Sequence, residues 1–239
     1  MDAILALDAG GSKCEALLTD LGGTILGSGS ACQPGVSGRG LQSIGRAALQ
    51  ALAVRRFRTL VLAAPFAALP PEVAAVVESE SLCHVPCNEV DPALIHAGVD
   101  CGVVLLAGTG AFAHGRRRDG RRRHLDGTGP ILGDFGGGYH IGTMALHAIV
   151  RSDWHPRHAT ALRDRVLERF GVSSPYALFN LNLFGQDRSV VASIARTVVE
   201  EAERGDAVSV RILQQAAHSM GETFADLVQI GRASCRERV

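Results

Sequence analysis

The chain has 239 residues, enough for one large or two small domains, and its 46% hydrophobic and 20% charged residues exclude a disordered protein. Lysine and arginine together number 24, and so do aspartate and glutamate, so the net charge is zero. This balance argues against nucleic acid or an anionic membrane surface as a partner. Any anion would have to be bound by a local group of donors, because the protein as a whole carries no positive charge to attract it.

Neither a membrane span nor a signal peptide is predicted, because no apolar run reaches about 18 residues and the start lacks a basic region and a cleavage site. The six cysteines are scattered without a CxxC pair, which favours reduced thiols and a cytoplasmic location. Cys83 and Cys87 suggest metal or iron–sulfur ligation, but no second close pair or suitably spaced histidine accompanies them. We interpret both as buried strand thiols.

Short apolar runs separated by glycine pairs open the chain. Ala3–Ala9, Ala16–Thr19 and Thr24–Leu26 are predicted to form three antiparallel strands, with turns at Gly10–Gly11 and Gly22–Gly23.

Helical and extended patterns then alternate. Apolar residues recur at helical spacing from Leu41 to Leu52. There follow a strand at Thr59–Ala64, a helix at Glu72–Glu78 behind two prolines, a strand at Leu82–Pro86, a helix at Pro92–Ala97 and a strand at Gly102–Ala107. This alternation predicts an α/β layer.

The pattern changes after Gly110. Ala111–Gly115 and Arg121–Leu125 predict a hairpin with a two-residue turn at Asp119–Gly120, and we interpret the surrounding arginines as a solvent-exposed tip. Helices are predicted at about Gly138–Val150, His158–Phe170, Val190–Arg204 and Val208–Val228, with a helix-ending glycine at Gly171. We therefore expect a first domain at residues 1–112 and a helix-rich second domain at 113–229.

The last ten residues, Ile230–Val239, match the in-frame translation of a common sequencing-adapter stretch. We therefore predict that they are an artefact at residues 230–239, that natural sequence stops near Gln229, and that the second domain is partial. A chain cut in this way is expected to be poorly soluble or inactive by itself.

A glycine-rich turn follows the first strand. Gly10 and Gly11 permit backbone conformations in which successive N–H groups converge on phosphate oxygens, and Ser12 and Lys13 add a hydroxyl and a positive charge. Asp8 is a candidate ligand for hydrated Mg²⁺. A glycine hairpin without a ligand is the alternative, and the turn is neither a Walker A loop nor GxGxxG because it leads into a strand.

Two further glycine clusters follow. Gly108, Thr109 and Gly110 end the strand at Gly102–Ala107 and offer a second set of backbone donors. Asp134 stands in a third cluster just before a predicted helix, where backbone N–H groups would hold its carboxylate. The alternative for Asp134 is a helix N-cap.

A pair of carboxylates lies between these motifs, in Asn88-Glu89-Val90-Asp91. One of them is a candidate general base, although helix capping is a sufficient explanation for Asp91.

In this order, the motifs DAGGSK, NEVDPAL, LLAGTG and DGTGPILGDFGGGYHIG resemble those of the BadF/BadG/BcrA/BcrD ATPase family, which includes N-acetylglucosamine and glucosamine kinases. The resemblance runs from about Ala3 to Val228 and implies the ribonuclease-H-like fold of the actin/hexokinase/Hsp70 ATPases, with two domains that clasp ATP and Mg²⁺. It further implies an ATP-dependent kinase acting on a small sugar, and it leaves a homodimer open.

The resemblance also assigns residues. Asp8 matches the Mg²⁺-organising position, Glu89 the general base, and Asp134 the aspartate that holds a sugar hydroxyl, with Asn88 beside the base in the substrate site. Gly10, Gly11, Ser12 and Lys13 match the first phosphate turn, and Gly108, Thr109 and Gly110 match the second.

The departures from the family pattern lie on the substrate side. Thr128 stands where the family has tryptophan, Ala111 where it has serine, and Phe135 where it has glutamate. The residues that would stack on a sugar therefore differ from those of the kinases.

Two alternatives to a sugar kinase remain. The first is an ATPase subunit that activates a reductase or dehydratase, as other members of the family do through iron–sulfur cysteines, whose motif is not found here. The second is a member that binds nucleotide or sugar without turnover.

Overall fold

The computed structural model describes residues 1–10, 13–32, 40–87, 90–183 and 188–236. The chain forms two compact units, Met1–Gly98 and Val99–Val239. The predicted boundary, between residues 112 and 113, differs from the observed one between residues 98 and 99. The strand at Gly102–Ala107 was expected in the first domain, but it pairs with the strand that follows it and therefore belongs to the second unit.

The first unit is built on a five-stranded sheet in the order β3-β2-β1-β4-β5. Its elements are β1 (Asp2–Ala9), β2 (Lys13–Asp20), β3 (Ile25–Cys32), α1 (Gly40–Ala51), β4 (Arg56–Ala64), α2 (Pro71–Ala74), β5 (Glu78–Pro86) and α3 (Val90–His96). The first three strands pair antiparallel, and β4 and β5 continue the sheet in parallel.

The central position of β1 follows from its sequence. Ala3, Leu5 and Leu7 alternate along the strand and are buried in the same core as Leu60 and Leu62 of β4. Helix α1 covers this face of the sheet through its contacts with β1, β2 and β3. The predicted α/β layer is thus confirmed, with Asp8 near the end of a central strand.

Two predictions in this unit need correction. The predicted helix at Glu72–Glu78 is only Pro71–Ala74, because Glu78 begins β5 and pairs with Arg56 of β4. Cys83 is exposed and Cys87 half-buried, so the interpretation of both as buried thiols is wrong. The cause is that β5 forms one edge of the sheet and its residues are almost all exposed.

The second unit combines a three-stranded antiparallel sheet with a helical bundle. Its elements are β6 (Gly102–Ala107), β7 (Ala111–Arg116), β8 (Arg122–Asp126), α4 (Gly138–Ser152), a 3-10 turn at Pro156–His158, α5 (Leu162–Phe170), α6 (Pro175–Phe179), α7 (Arg188–Ala192), α8 (Ile194–Glu203) and α9 (Ala207–Arg236). Ile149, Leu162, Val166, Ile194 and Val198 are fully buried where α4, α5 and α8 meet. Helix α9 also packs across β7 and β8.

Several boundaries in the second unit differ from the predictions. The hairpin turn has three residues rather than two, because Arg117 donates its N–H to Arg121 (2.9 Å) and Gly120 takes the left-handed conformation (φ +81°). The predicted helix Val190–Arg204 is divided at Ser193 into α7 and α8. Gly171 ends α5 in the left-handed conformation, as predicted (φ +65°).

Helix α9 begins at Ala207 and continues past the predicted end at Val228 as far as Arg236, into the residues expected to be an adapter artefact. The origin of those residues stays a prediction. None of the described helices is long and apolar enough to cross a bilayer.

Candidate functional site

The first predicted phosphate turn joins β1 to β2. Asp8 pairs with Glu15 and Ala9 with Cys14 at the end of this antiparallel pair, so the turn leads into a strand as predicted. The Asp8 side chain is exposed, whereas Leu7 before it is buried. Gly10 follows β1, and the predicted phosphate-binding residues Gly11 and Ser12 lie outside the described residues. The carboxylate of Asp8 is therefore open to solvent at the end of its strand.

Lys13 begins β2 on the other side of this turn. Its Nζ lies 2.8 Å from Oε1 of Glu15, and both side chains are exposed. The hydrogen bond to Glu15, with the charges of Glu15 and Asp8, raises the pKa of Lys13. The amine therefore stays protonated at neutral pH, as an interaction with phosphate requires.

The charge of Asp8 also reaches the end of β5. The pKa of the Cys87 thiol is raised by burial and by the carboxylates of Asp91 and Asp8. The Cys87 N–H donates to the carbonyl of Ala64 (3.2 Å), so the chain after β5 remains paired with the end of β4. The carboxylate of Asp8 therefore acts on the thiol of Cys87 and disfavours its ionisation.

The predicted general base Glu89 and the predicted sugar ligand Asn88 follow Cys87 directly and lie outside the described residues. Asp91 lies in the first turn of α3, which begins at Val90. The predicted catalytic segment is thus the connection between β5 and α3.

In the second unit, Gly108–Gly110 follow the strand at Gly102–Ala107, as predicted, and form the tight turn between β6 and β7. The Gly108 N–H donates to the carbonyl of Gly110 (2.8 Å) within the turn. The carbonyls of Gly108 and Thr109 accept N–H groups of Gly138 (2.8 Å) and Tyr139 (2.9 Å) at the start of α4. The turn therefore satisfies helix donors that would otherwise lack a partner, and it is fixed to α4.

Asp134 lies directly over this turn. Its side chain is 8% exposed and its backbone is in the left-handed region (φ +60°). A Cβ atom added to Gly110 would lie only 2.7 Å from Cγ of Asp134, so only glycine at position 110 leaves space for the carboxylate. The structure thus brings two predicted site residues together, Gly110 and Asp134.

Two details of the Asp134 prediction are corrected. The N-cap of α4 is Gly137, which makes no side-chain capping hydrogen bond, so the alternative role of Asp134 as the N-cap is wrong. The carboxylate held by backbone donors is that of Asp126, which accepts from Gly127 (2.8 Å), Asp134 (2.6 Å) and Phe135 (2.9 Å). Sequence reasoning missed Asp126, although an Asp-Gly pair directly after a strand is a turn signal.

His140 was also given no role, yet it supports the same loop. Its Nδ1 accepts the N–H of Gly136 (2.9 Å), and its ring meets Phe135 edge to face with centroids 6.0 Å apart. Burial lowers the pKa of His140, and the nearby carboxylate of Asp126 opposes this effect. The neutral ring, with its proton on Nε2, is therefore the form that accepts the Gly136 N–H.

The described residues contain no cluster of metal-ligating side chains. No three histidine, cysteine, aspartate or glutamate side chains come together there as a metal-binding cluster. Cys14, Cys83, Cys87 and Cys101 are free thiols.

A sequence model of the BadF/BadG/BcrA/BcrD ATPase family matches residues 5–236. An N-acetylmuramic acid/N-acetylglucosamine kinase of Clostridium acetobutylicum is 32% identical over 130 residues, and an N-acetyl-D-glucosamine kinase of Dictyostelium discoideum is 28% identical over 130 residues. Each alignment covers 54% of this chain, and the chain spans only 42% and 41% of the respective relatives.

Solved structures give the fold. A candidate N-acetylglucosamine kinase of Chromobacterium violaceum superposes with a TM-score of 0.68 at 19% identity, covering 94% of this chain and 82% of the other. A ROK family glucokinase of Streptomyces griseus, solved with glucose and AMPPNP, superposes with a TM-score of 0.55 at 17% identity, covering 95% and 80%. The predicted α/β fold of the actin/hexokinase type is confirmed. With the family match over almost its whole length, the chain belongs to the BadF/BadG/BcrA/BcrD ATPase family.

Proposed function

We propose that this protein is an ATP-dependent kinase that phosphorylates a hydroxyl of a small amino sugar, such as N-acetylglucosamine or glucosamine. The observation that carries the proposal is the buried carboxylate of Asp134 set against the glycine turn at Gly110. The names of the two curated relatives, both N-acetylglucosamine kinases, support the same substrate class. We place the activity in the cytoplasm, where ATP is available.

Asp134 is the proposed sugar ligand. An ionised carboxylate accepts hydrogen bonds only, so it would accept a hydroxyl hydrogen of the sugar. Because the side chain is 8% exposed, this hydrogen bond would form largely out of water, where it is stronger than at the surface. The left-handed backbone of Asp134 is uncommon for a residue with a side chain and is typical of constrained functional positions.

The phosphates of ATP are assigned to the two glycine turns. Lys13 carries a protonated amine beside the first turn, which would compensate phosphate charge. The second turn, at Gly108–Gly110, is anchored to α4 through two backbone hydrogen bonds, so it would present a fixed surface to the nucleotide. A rigid position for the transferred phosphoryl group is the main requirement of this chemistry.

The residues present fit Mg²⁺ as the accompanying ion. Asp8 offers an exposed carboxylate, and Mg²⁺ commonly takes one or two carboxylates with waters and substrate phosphates rather than a full protein cage. When bound, the ion would neutralise charge on the phosphates.

Glu89 is the proposed general base. It would take the proton of the acceptor hydroxyl while the sugar oxygen bonds to the γ-phosphorus and the bond from that phosphorus to the β-phosphate oxygen breaks, releasing ADP. Support for this role comes from the family resemblance and from the position of Glu89 in the chain, between β5 and α3, two residues after the Cys87 thiol on which the charge of Asp8 acts. Asn88 is assigned to the sugar on the same basis.

The experiment is ADP formation with a panel of N-acetylglucosamine, glucosamine, N-acetylmuramic acid and glucose, using protein expressed from its complete gene. We expect sugar-dependent ADP release with at least one amino sugar. Glu89→Gln should lower kcat by about a hundredfold or more, and Asp134→Asn should raise the KM for sugar. Asp164→Asn, an exposed carboxylate on α5, is the control.

Absence of sugar-dependent ADP across the panel would overturn the proposal. Unchanged turnover in Glu89→Gln would instead favour a protein that binds these ligands without catalysing the transfer.

A further inference from the structure

Asp126 stands at the end of β8 and faces the loop that carries Asp134. Its Oδ1 accepts the N–H groups of Gly127 (2.8 Å) and Asp134 (2.6 Å), and its Oδ2 accepts that of Phe135 (2.9 Å). Two of these three donors are thus the peptide groups on either side of the Asp134 side chain. Hydrogen bonds to an ionised acceptor are shorter and about twice as strong as neutral ones.

The loop packs closely around the carboxylate of Asp126. A Cβ atom added to Gly133 would lie 2.2 Å from Oδ1 of Asp126 and 2.3 Å from Oγ1 of Thr128. The side-chain oxygens of these two residues therefore contact the backbone of the residue that precedes Asp134. A side chain at position 133 would separate Asp126 from the loop.

The backbone of this loop needs such support. Asp126 and Asp134 are both in the left-handed region, at φ +67° and φ +60°, which is uncommon for residues with side chains, although aspartate adopts it more often than most. Conformations of this kind persist only where the surroundings fix them. The three hydrogen bonds to Asp126 meet that requirement at the residue whose carboxylate faces Gly110.

We propose that Asp126 is a positioning residue, which fixes the backbone of Asp134 and Phe135 so that the Asp134 carboxylate is aligned to accept the sugar hydroxyl. This inference rests on the proposed kinase function. Asp126 itself need not touch the substrate, since its two oxygens are engaged by the loop. An aspartate suits the position because the three groups that hydrogen-bond to it are all donors, whereas an asparagine amide would direct an N–H₂ group at one of them.

The first experiment compares Asp126→Asn with Asp206→Asn in the protein expressed from its complete gene. Asp206 is a matched control, because its carboxylate also accepts two backbone N–H groups, those of Ser209 (2.8 Å) and Ala161 (3.1 Å), but it lies at the start of α9. The measurements are kcat, the KM for sugar, the KM for ATP and the thermal midpoint of each variant.

Asp126→Asn should lower kcat/KM for the sugar by about tenfold or more, because small displacements of a substrate ligand are costly, while the KM for ATP changes less than about twofold. Asp206→Asn should lower the thermal midpoint and leave kcat/KM for the sugar within about twofold. Unchanged sugar kinetics in Asp126→Asn, or an equal loss in both variants, would overturn the proposal.

A second measurement uses the unmodified protein and does not require activity. Long-range HNCO spectra should connect the amide groups of Asp134 and Phe135 with the side-chain carboxyl carbon of Asp126 across the hydrogen bonds. If no sugar is phosphorylated but these connections are present, the kinase proposal fails while the hold of Asp126 on the loop stands. If the connections are absent, the positioning role is wrong even in an active kinase.

Discussion

The two carboxylates assigned to ligands, Asp8 and Asp134, lie in contrasting surroundings. Asp8 is exposed at the end of a regular strand and takes its position from the β1–β2 pairing. Asp134 is buried, in a left-handed conformation, and takes its position from a loop held by Asp126 and His140. The first arrangement suits a hydrated cation, and the second suits a neutral ligand with hydroxyl groups that must be oriented.

The contrast predicts that activity and stability will respond differently at the two sites. A change at the exposed carboxylate should affect catalysis and leave folding almost untouched. A change at the buried one should affect both, because the loop and the site are the same structure.

The largest effect is expected for Asp8→Asn. Removing the negative charge should lower kcat by about a hundredfold or more, since electrostatic groups at the phosphates contribute most of the rate in this chemistry. The free energy of unfolding should change by less than about 0.5 kcal/mol because the side chain is exposed. Steady-state ADP release and urea unfolding measure the two quantities.

Glu80→Gln is the control for Asp8→Asn, as an exposed carboxylate on the edge strand β5. It should alter neither quantity. If Asp8→Asn lowered the free energy of unfolding by well over about 0.5 kcal/mol as well as lowering kcat, this would contradict the interpretation of Asp8 as a residue placed for a ligand.

Gly110→Ala tests the buried site. Its Cβ would lie 2.7 Å from Cγ of Asp134, so the carboxylate or the turn must move. We expect a loss of about 1–3 kcal/mol in the free energy of unfolding from overpacking, together with a higher KM for sugar. Gly221→Ala, where nothing lies within 4 Å, should instead stabilise α9 by about 0.5–1 kcal/mol. Equal stability of the two variants would show that Asp134 can relax freely.

The fold could be predicted from the sequence where it depends on local patterns, and could not where it depends on contacts between distant segments. The strands β1 and β4 were predictable because their apolar residues form short runs bounded by glycine and proline, and a buried core needs this pattern. The helix predicted at Glu72–Glu78 was too long because pairing of Glu78 with Arg56 is a tertiary interaction that local propensity does not contain. The pairing of parallel strands such as β4 and β5 joins segments that are apart in the sequence, so a local pattern does not show where such a strand begins.

The candidate site divides in the same way. Asp134 and the turn at Gly108–Gly110 could be named from their motifs, since glycine composition at strand ends is a local signal. The role of Asp126 could not, because its donors at Asp134 and Phe135 are eight and nine residues away and meet it only when the loop has folded back. His140 was missed for a different reason: its partner Gly136 is only four residues away, but their hydrogen bond needs the left-handed backbone of Gly136 (φ +85°), which the glycine-rich sequence permits and does not specify.

A smaller effect is expected from the titration of His140. Burial lowers its pKa below the ordinary value of 6.5, so the unfolded chain binds more protons than the folded one as the pH falls through that value. The contribution of this group to stability is therefore complete at higher pH and is lost between about 6.5 and its lowered pKa. His140→Gln should weaken this part of the pH dependence, measured as the urea midpoint between pH 5 and pH 8.

The matched variant is His147→Gln, an exposed histidine on the same helix, which should preserve the pH dependence of the unmodified protein. If His140→Gln retains the full dependence, another group is responsible and the loop is not sensitive to the charge of His140.

The smallest effect is expected at an ion pair of the first unit that lies outside the candidate site. The hydrogen bond from Arg58 is the main cause that lowers the pKa of Asp2 from 3.8 to about 2. The ionised Asp2 carboxylate therefore stabilises the fold above about pH 3.8, and this contribution is lost as the pH falls towards 2. Arg58→Met should therefore be less stable than the unmodified protein at pH 5, and this difference should shrink as the pH approaches 3.

Arg56→Met gives the comparison within the same strand, because the Arg56–Glu78 pair is exposed on both sides, at 83% and 69%. Such a pair contributes little, so its removal should barely change the urea midpoint at any pH. Asp2 differs because its side chain is only 17% exposed. Equal changes in the urea midpoint for the two substitutions would mean that burial of the carboxylate does not govern the strength of these ion pairs. The contrast between Asp8 and Asp134 would then need a cause other than burial.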